Sequence, residues 1–433
     1  MTTTRPTDAE PLSNHSAQDI AAALETYHPQ WDFLREFYQD LHTHPELSTF
    51  EKRTASQIRA ALSELECDVI PDVGGYGILA IFRNGEGPTV LMRADFDALP
   101  VEETSGLPYA STITMADHRG VECPVMHACG HDMHTTGLLG TAQILDSMRE
   151  HWSGTFIALF QPAEELGNGA EAMVADGLTE LIPRPDVCLA QHIIPGRAGQ
   201  VMSTPGPVFA ACDSIRITIT GRSAHGSMPQ ASIDPTIIAA MIVLRLQAIV
   251  AREIGTAAPA VISVGTLKAG DTHNTIPGTA ELVLNTRSFS EEIRNRLNKA
   301  IQRVVRAECE ASGCQVDPTF EYFGSAAAVT NSAEVHHHIR PVFDQVFAED
   351  SIDADPSYAS EDFSEIPKAW GVPYSYWVVG CTDRELWEHA QASGAVDKLV
   401  PTNHTGDFVP EYEPTITALC KAGTAGALSY LWR

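Results

Sequence analysis

Basic residues are scarce in this chain: 28 Lys and Arg stand against 56 Asp and Glu over 433 residues, a formal charge of −28. A surface of that sign repels phosphate backbones and anionic lipid, so neither nucleic acid nor a membrane is an expected partner. The nine cysteines are an odd number and are scattered without paired spacing, unlike a disulfide framework. Long apolar runs are missing as well, none approaching the roughly 18–20 residues that span a bilayer. The opening MTTTRPTDAEPLSNHSAQD is polar and interrupted by proline and does not read as a signal peptide. These absences point to a cytoplasmic protein with reduced thiols, where a cysteine near histidines is a candidate metal ligand or nucleophile. Acidity does not exclude a small anionic substrate, because a local cation or arginine reverses the potential inside a cleft.

What is present is ordinary for a globular protein: 44% hydrophobic and 19% charged residues. The length suggests two domains. Residues 1–30 read as a flexible arm. Helical patterning begins at Trp31 (WDFLREFYQDLH) and resumes over 48–65. Apolar runs GILAIF (77–82), TVLMRAD (89–95), GTFIALF (154–160) and DVCLAQH (186–192) read as buried strands, with a helix over 135–150 between them. Strands alternating with helices predict a mostly parallel sheet covered on both faces. Residues 209–324 have a different rhythm. CDSIRITITG alternates like a half-buried strand, and the helix after it opens with Asp234 as cap and Pro235 in the first turn. Two strands follow, then a helix capped by Ser290 and a last strand, the βαββαβ order of a ferredoxin-like module. The expected class is therefore α/β, with an inserted α+β lid or dimerisation domain at 209–324 and a catalytic domain at 31–208 and 325–433.

In open parallel sheets, ligands collect at the carboxyl ends of the strands. The segments following the predicted strands carry Asp95 and Asp97 (RADFDALP), Glu164 and Glu165 (QPAEE), and His192 (QHIIPG). MHACGHDMH, with His127, Cys129, His131 and His134, precedes the helix at 135. Four segments thus bring Asp, Glu, Cys and His to one rim. Cys129 and His131, two apart in a glycine-containing loop, suit zinc or a related divalent ion. Taken alone, that loop reads equally well as structure around a buried cysteine. A bare Glu-Glu pair is usually a solvated surface, but this one follows a buried strand and Pro162. There one carboxylate can bind metal while its neighbour faces a metal-activated water.

RADFDALP, MHACGHDMH, QPAEE, the strand to His192, GRSAHGSMP, HNTIPG and NHTGDF together resemble the aminoacylase and carboxypeptidase-G family of dinuclear metallopeptidases. The similarity is to its cysteine-containing branch, with hippurate hydrolase, indole-acetyl-amino-acid hydrolases and acylglutamine aminoacylase, and it extends from about Leu41 onward. The resemblance implies two divalent ions, zinc first and manganese, cobalt or nickel as alternatives. Their ligands would be Cys129 (bridging), His131, Glu165, His192 and His404. It implies Glu164 as general base, Asp97 as an orienting carboxylate, and His225 as an oxyanion partner reaching the other subunit of a homodimer. Asn274 and Arg287 would lie near the substrate carboxylate and the dimer contact. Asp95 stands where other branches keep a metal-binding histidine and receives no role. The last motif departs from the family pattern, reading His404-Thr405-Gly406-Asp407-Phe408.

The expected reaction is cleavage of an N-acyl amino acid to a carboxylic acid and a free amino acid, with a dipeptidase or carboxypeptidase of the same family as alternative. Cys129 as the nucleophile of a thiol hydrolase is a rival reading; it predicts sensitivity to alkylation and indifference to chelators. An inactive metal-binding relative is a third. The run His336–His338 on a predicted helix reads as a solvated face, His42 and His44 as packing residues, and Ser360–Phe363 as a structural turn with Glu361 at the site edge.

Overall fold

A computed structural model describes residues 14–433. The chain divides into two compact units: one runs up to Val208 and includes Thr330–Asp355 and Asp362–Arg433, the other is Phe209–Val329 with Pro356–Glu361.

The first unit is built on an eight-stranded sheet. Gly154–Gln161, Thr89–Asp95, Val187–Arg197 and Tyr374–Thr382 are neighbours in that order and mutually parallel. Gly77–Asn84 and then Asp68–Val73 extend one edge antiparallel, while Val201–Ser203 and Ser351–Asp353 extend the other. The central strands are apolar almost throughout because helices cover both faces of such sheets. His131–Ser147 and Tyr412–Leu431 pack against each other and the sheet, and both are buried along most of their length.

Three expectations are corrected here. The arm expected at 1–30 contains a helix, Asn14–Leu24, that buries Ala17, Ile20 and Leu24 against the helices Ala333–Phe347 and Tyr412–Leu431; residues 1–13 lie outside the described residues. Apolar residues at i, i+3 and i+7 make one sticky stripe, which docks rather than dangles. The histidine run is not a solvated face: His336 and His338 are buried, and His338 Nε2 lies 2.7 Å from the Ser429 carbonyl. Finally, Pro235–Arg252 has 18 residues at mean hydropathy 1.6, long and apolar enough to cross a bilayer by length and composition. One face, Ile238, Ile242, Leu246 and Ile249, is spent on the core of the second unit.

That second unit is a four-stranded antiparallel sheet in the order Ala260–Ala269, Thr279–Ser288, Ala211–Thr220, Thr319–Ala326. Its chain order is strand, helix, strand, strand, helix, strand. Asp234 accepts the Thr236 N–H and Ser290 the Ile293 N–H, so both helices, Pro235–Arg252 and Glu291–Ala311, start where their caps dictate. Ile215, Ile217 and Ile219 point into the core as alternation requires.

Candidate metal centre

Two strand ends, the middle of a third strand and two loops of the first unit supply the site. Asp95 closes the strand Thr89–Asp95, and Asp97 lies two residues on. Pro162–Gly169 follows the strand Gly154–Gln161 as a tight turn: the Gly169 N–H donates to the Ala163 carbonyl, and a Cβ at Gly169 would lie 1.8 Å from the Pro162 oxygen. Gly130, at φ +83°, lets the chain reverse between Cys129 and His131, so the helix begins at His131 rather than at 135. His192 lies within its strand, not at its end, because parallel pairing to Tyr374–Thr382 continues as far as Arg197. His404 is held by its own N–H on the Ala128 carbonyl and sits at φ +71°.

These side chains meet. Cys129 Sγ lies 3.4 Å from His192 Nε2 and 3.3 Å from His404 Nε2. Glu165 Oε1 is 3.4 Å from His404 Nε2 and 3.8 Å from His131 Nε2, and Glu164 Oε2 is 3.9 Å from the same His131 nitrogen. Cys129, Glu165 and His404 form one group that could hold an ion, and His131, Glu164 and Glu165 another. The second nitrogens are committed elsewhere. His131 Nδ1 faces Asp97 Oδ1 at 3.1 Å, and His192 Nδ1 faces its neighbour's carbonyl at 2.6 Å. Asp97 also accepts from Ser48 Oγ (2.7 Å) and the Glu165 N–H (3.0 Å). Acceptors at Nδ1 put the proton there and aim the Nε2 lone pair at the cluster.

Buried polar atoms normally find partners. Here His131 Nε2 and Glu165 Oε1 are buried with no hydrogen-bond partner among the described residues. A lone pair surrounded by carboxylates is unfavourable; a proton relieves it in part, and divalent cations relieve every member at once. The thiolate, imidazole and carboxylate donors are those that bind zinc and its neighbours. The residues fit the ions.

Electrostatics agree. Burial alone would lower His131, but Asp95, Asp97 and Glu165 outweigh it and hold it at about 10. Burial, reinforced by Glu165 and Glu164, lifts the Cys129 thiol well above its ordinary value. Burial and the adjacent His134 keep His192 neutral.

Beneath the cluster lies a layer not anticipated from sequence. His134 Nδ1 is 2.6 Å from Asp95 Oδ1, and its Nε2 accepts the Ile193 N–H, so both nitrogens are occupied and His134 supports rather than ligates. Arg93, fully buried, reaches Asp95 (2.6 Å), Gln161 (2.8 Å) and Asp362 (3.2 Å). His42 bridges Asp132 (2.6 Å) and Glu103 (3.1 Å); it packs as expected, but inside a charged network. Asn403 donates to the carbonyls of Cys129 and Ile193, tying together the two strands of chain that carry ligands.

In the second unit, His225 and Asn274 come together: His225 pairs with Thr275 across a short ladder, and the Gly226 N–H donates to the Asn274 carbonyl. The Ser227 N–H donates to His225 Nδ1 (3.1 Å), so a neutral ring carries its proton on Nε2 and presents a donor. Arg287 is not with them. It sits near the other end of the strand Thr279–Ser288, eight residues from Thr279 or roughly 26 Å at ~3.3 Å per residue. Its guanidinium binds Asn285 Oδ1 and the Tyr358 carbonyl.

Residues 91–399 match the family model described as Peptidase family M20/M25/M40. N-acetyl-L-cysteine deacetylase of Bacillus subtilis is 34% identical over 351 residues, spanning 81% of this chain and 80% of that protein. Hippurate hydrolase of Campylobacter jejuni is 32% identical over 327 residues, spanning 75% and 82%. Among solved structures, the YXEP protein of Bacillus subtilis, described as a dinuclear metal binding peptidase, superposes with a TM-score of 0.73 at 27% identity, over 92% of this chain and 98% of that one.

Proposed function

The chain belongs to peptidase family M20/M25/M40, and on that footing we propose that it hydrolyses the amide bond of N-acyl amino acids with two divalent cations. The observation that carries the reading is the meeting of Cys129, Glu165 and His404 beside His131 and His192, with His131 Nε2 and Glu165 Oε1 buried without a hydrogen-bond partner among the described residues. Cys129 would bridge the ions, Glu165 and His404 would complete one set, and His131 and His192 the other. Zinc suits this donor set first, with manganese, cobalt or nickel as substitutes. When bound, such ions polarise an acyl carbonyl and bring a water's pKa near neutrality. Glu164, next to the ligand Glu165 but turned to its own place in the cluster, takes the water's proton and returns it to the leaving nitrogen. Asp97 keeps the proton of His131 on Nδ1. His225, protonated on Nε2, donates to the developing oxyanion from a partner subunit, an effect of typically ~3 kcal/mol. Asn274, beside His225, and Arg287, near the other end of its strand, can meet one substrate carboxylate only if they come from different subunits of the dimer. Exposed Ile237, Met241 and Leu244, on one face of Pro235–Arg252, support a homodimer through the second unit.

The substrate class follows the names of relatives such as hippurate hydrolase and N-acetyl-L-cysteine deacetylase. The thiol-hydrolase reading is disfavoured physically, since burial and the flanking glutamates push Cys129 away from the thiolate a nucleophile needs. Glu164→Ala tests the assignment: turnover should vanish with two ions retained. Loss of metal together with activity would make Glu164 a ligand, and undiminished turnover would remove it from the chemistry.

A further inference from the structure

The stretch HTHPELSTFEKRT carries no ligand and no group assigned to the reaction, yet it touches the centre twice. Ser48 Oγ donates to Asp97 at 2.7 Å. Three residues on, Glu51 is fully buried at the N-cap position of the helix Lys52–Leu62, from which a short polar side chain would cap the helix. Glu51 does not: no capping hydrogen bond forms. Instead Glu51 Oε1 accepts the N–H of Ala163 at 2.9 Å, 112 residues away, while Oε2 is buried with no hydrogen-bond partner among the described residues.

Ala163 is the residue before Glu164. It is buried and lies at φ +53°, a left-handed conformation that alanine adopts only under constraint. Its carbonyl is held by the Gly169 N–H, so Glu51 supplies the other half of the clamp. Without Glu51 the Ala163 N–H is a buried donor with no acceptor, and nothing on that side opposes relaxation of the backbone to negative φ. That relaxation would swing Glu164 and Glu165 together.

We infer that Glu51 is a positioning residue for hydrolysis, holding the left-handed turn that aims Glu164 and Glu165 at the centre. The inference rests on the proposed roles of those two glutamates. It needs an acceptor oxygen at Glu51, not a charge, and a glutamine supplies one.

The test compares Glu51→Ala, Glu51→Gln and Glu164→Ala in the full-length chain. It reads kcat and KM on an N-acyl amino acid at saturating zinc, and deuterium exchange of peptides covering 162–169 in the metal-free protein. Glu51→Ala should lose about 10–100-fold in kcat with KM within a few-fold, as small misplacements of reacting groups do. Its loop should exchange at least about tenfold faster. Glu51→Gln should stay within about threefold of the parent in both. Parent-like kcat and exchange in the alanine variant overturn the proposal, as does a glutamine variant damaged as badly as the alanine one. If Glu164→Ala still turns over, the general-base role fails, while the exchange data continue to judge Glu51. If Glu164→Ala is inactive and Glu51→Ala is parent-like, only the Glu51 proposal falls.

Discussion

Asp97→Asn replaces one oxygen beside His131 with an NH2 group and should cost the centre much of its cation affinity while leaving the fold standing. One Asp97 oxygen faces His131 Nδ1 at 3.1 Å; the other accepts from Ser48 Oγ and the Glu165 N–H at 2.7 and 3.0 Å. Asparagine keeps the size but has a single acceptor oxygen. The side with two donors claims that oxygen, so the NH2 turns toward His131. It needs an acceptor there, which forces the imidazole proton onto Nε2, the atom 3.8 Å from Glu165 and 3.9 Å from Glu164. A proton in that position occupies the lone pair a cation requires. Losing a charge-assisted hydrogen bond and paying for the wrong tautomer costs about 1.5–3 kcal/mol, and each ~1.4 kcal/mol is tenfold. Zinc affinity should therefore fall roughly 10–100-fold. The assay is titration of chelator-stripped protein in competition with a chromophoric chelator, with the melting temperature of the metal-free protein recorded alongside. Parent affinity in the variant would refute the tautomer reasoning. A variant that no longer folds would show that Asp97 acts through packing instead.

Other perturbations follow from the same geometry. His131 is held at about 10 and Cys129 above its ordinary value, so both carry protons at neutral pH and must release them on ligation. Cation affinity should rise with pH, with about two protons released per subunit in calorimetry across buffers of different ionisation heat; no release would contradict protonated ligands. Burial, then Arg340 and His337, push His336 down to about 4. Unfolded, it binds a proton near 6.5, so the folded state binds fewer protons in between and stability falls as pH drops from about 6.5 to about 4. His336→Leu should remove about 1–2 kcal/mol of that acid sensitivity after solvent screening, read from urea midpoints at neutral and acid pH; parallel profiles would exclude it. At Gly130, φ is +83° and a Cβ would lie 2.3 Å from Ile193 Cδ1. Gly130→Ala should cost about 2–4 kcal/mol and weaken zinc binding, and an unchanged melting curve would show that the turn adapts.

Much of the sheet was legible because strands covered on both faces read as unbroken apolar runs: TVLMRAD over 89–95 is the strand Thr89–Asp95. The second unit's helices were legible through their caps, Asp234 and Ser290. Glu165 and His192 could be read as candidate ligands because they follow or close an apolar run, the place where a parallel sheet gathers its chemistry; Cys129 and His131 were legible from their glycine-containing loop, and His404 only through the family resemblance. The start of the helix at His131 was not legible. Residues 131–145 are buried all round and leave no amphipathic edge to mark the first turn. The run DVCLAQH ends on a polar residue and so reads as closing at His192, yet its pairing to Tyr374–Thr382 carries the strand through. The supporting layer left no trace in one sequence. Arg93 and Asp362 are 269 residues apart, and a buried pairing at that separation has no local signature. Within Ser360–Phe363 both Glu361 and Asp362 are buried, and the pairing of Asp362 with Gln161 and Arg93 had no local signature. The role of Glu51 beyond the start of its helix had no local signature for a similar reason, since its partner Ala163 offers only a backbone amide.

Counting ions on the intact subunit by native mass spectrometry probes the dinuclear centre most directly. Two divalent ions per parent subunit are expected, falling to one or none in Cys129→Ala, because the bridging thiolate belongs to both sets. A Cys129→Ala subunit that still holds two ions, or a parent that turns over N-acyl amino acids while holding none, would contradict a centre built on that thiolate.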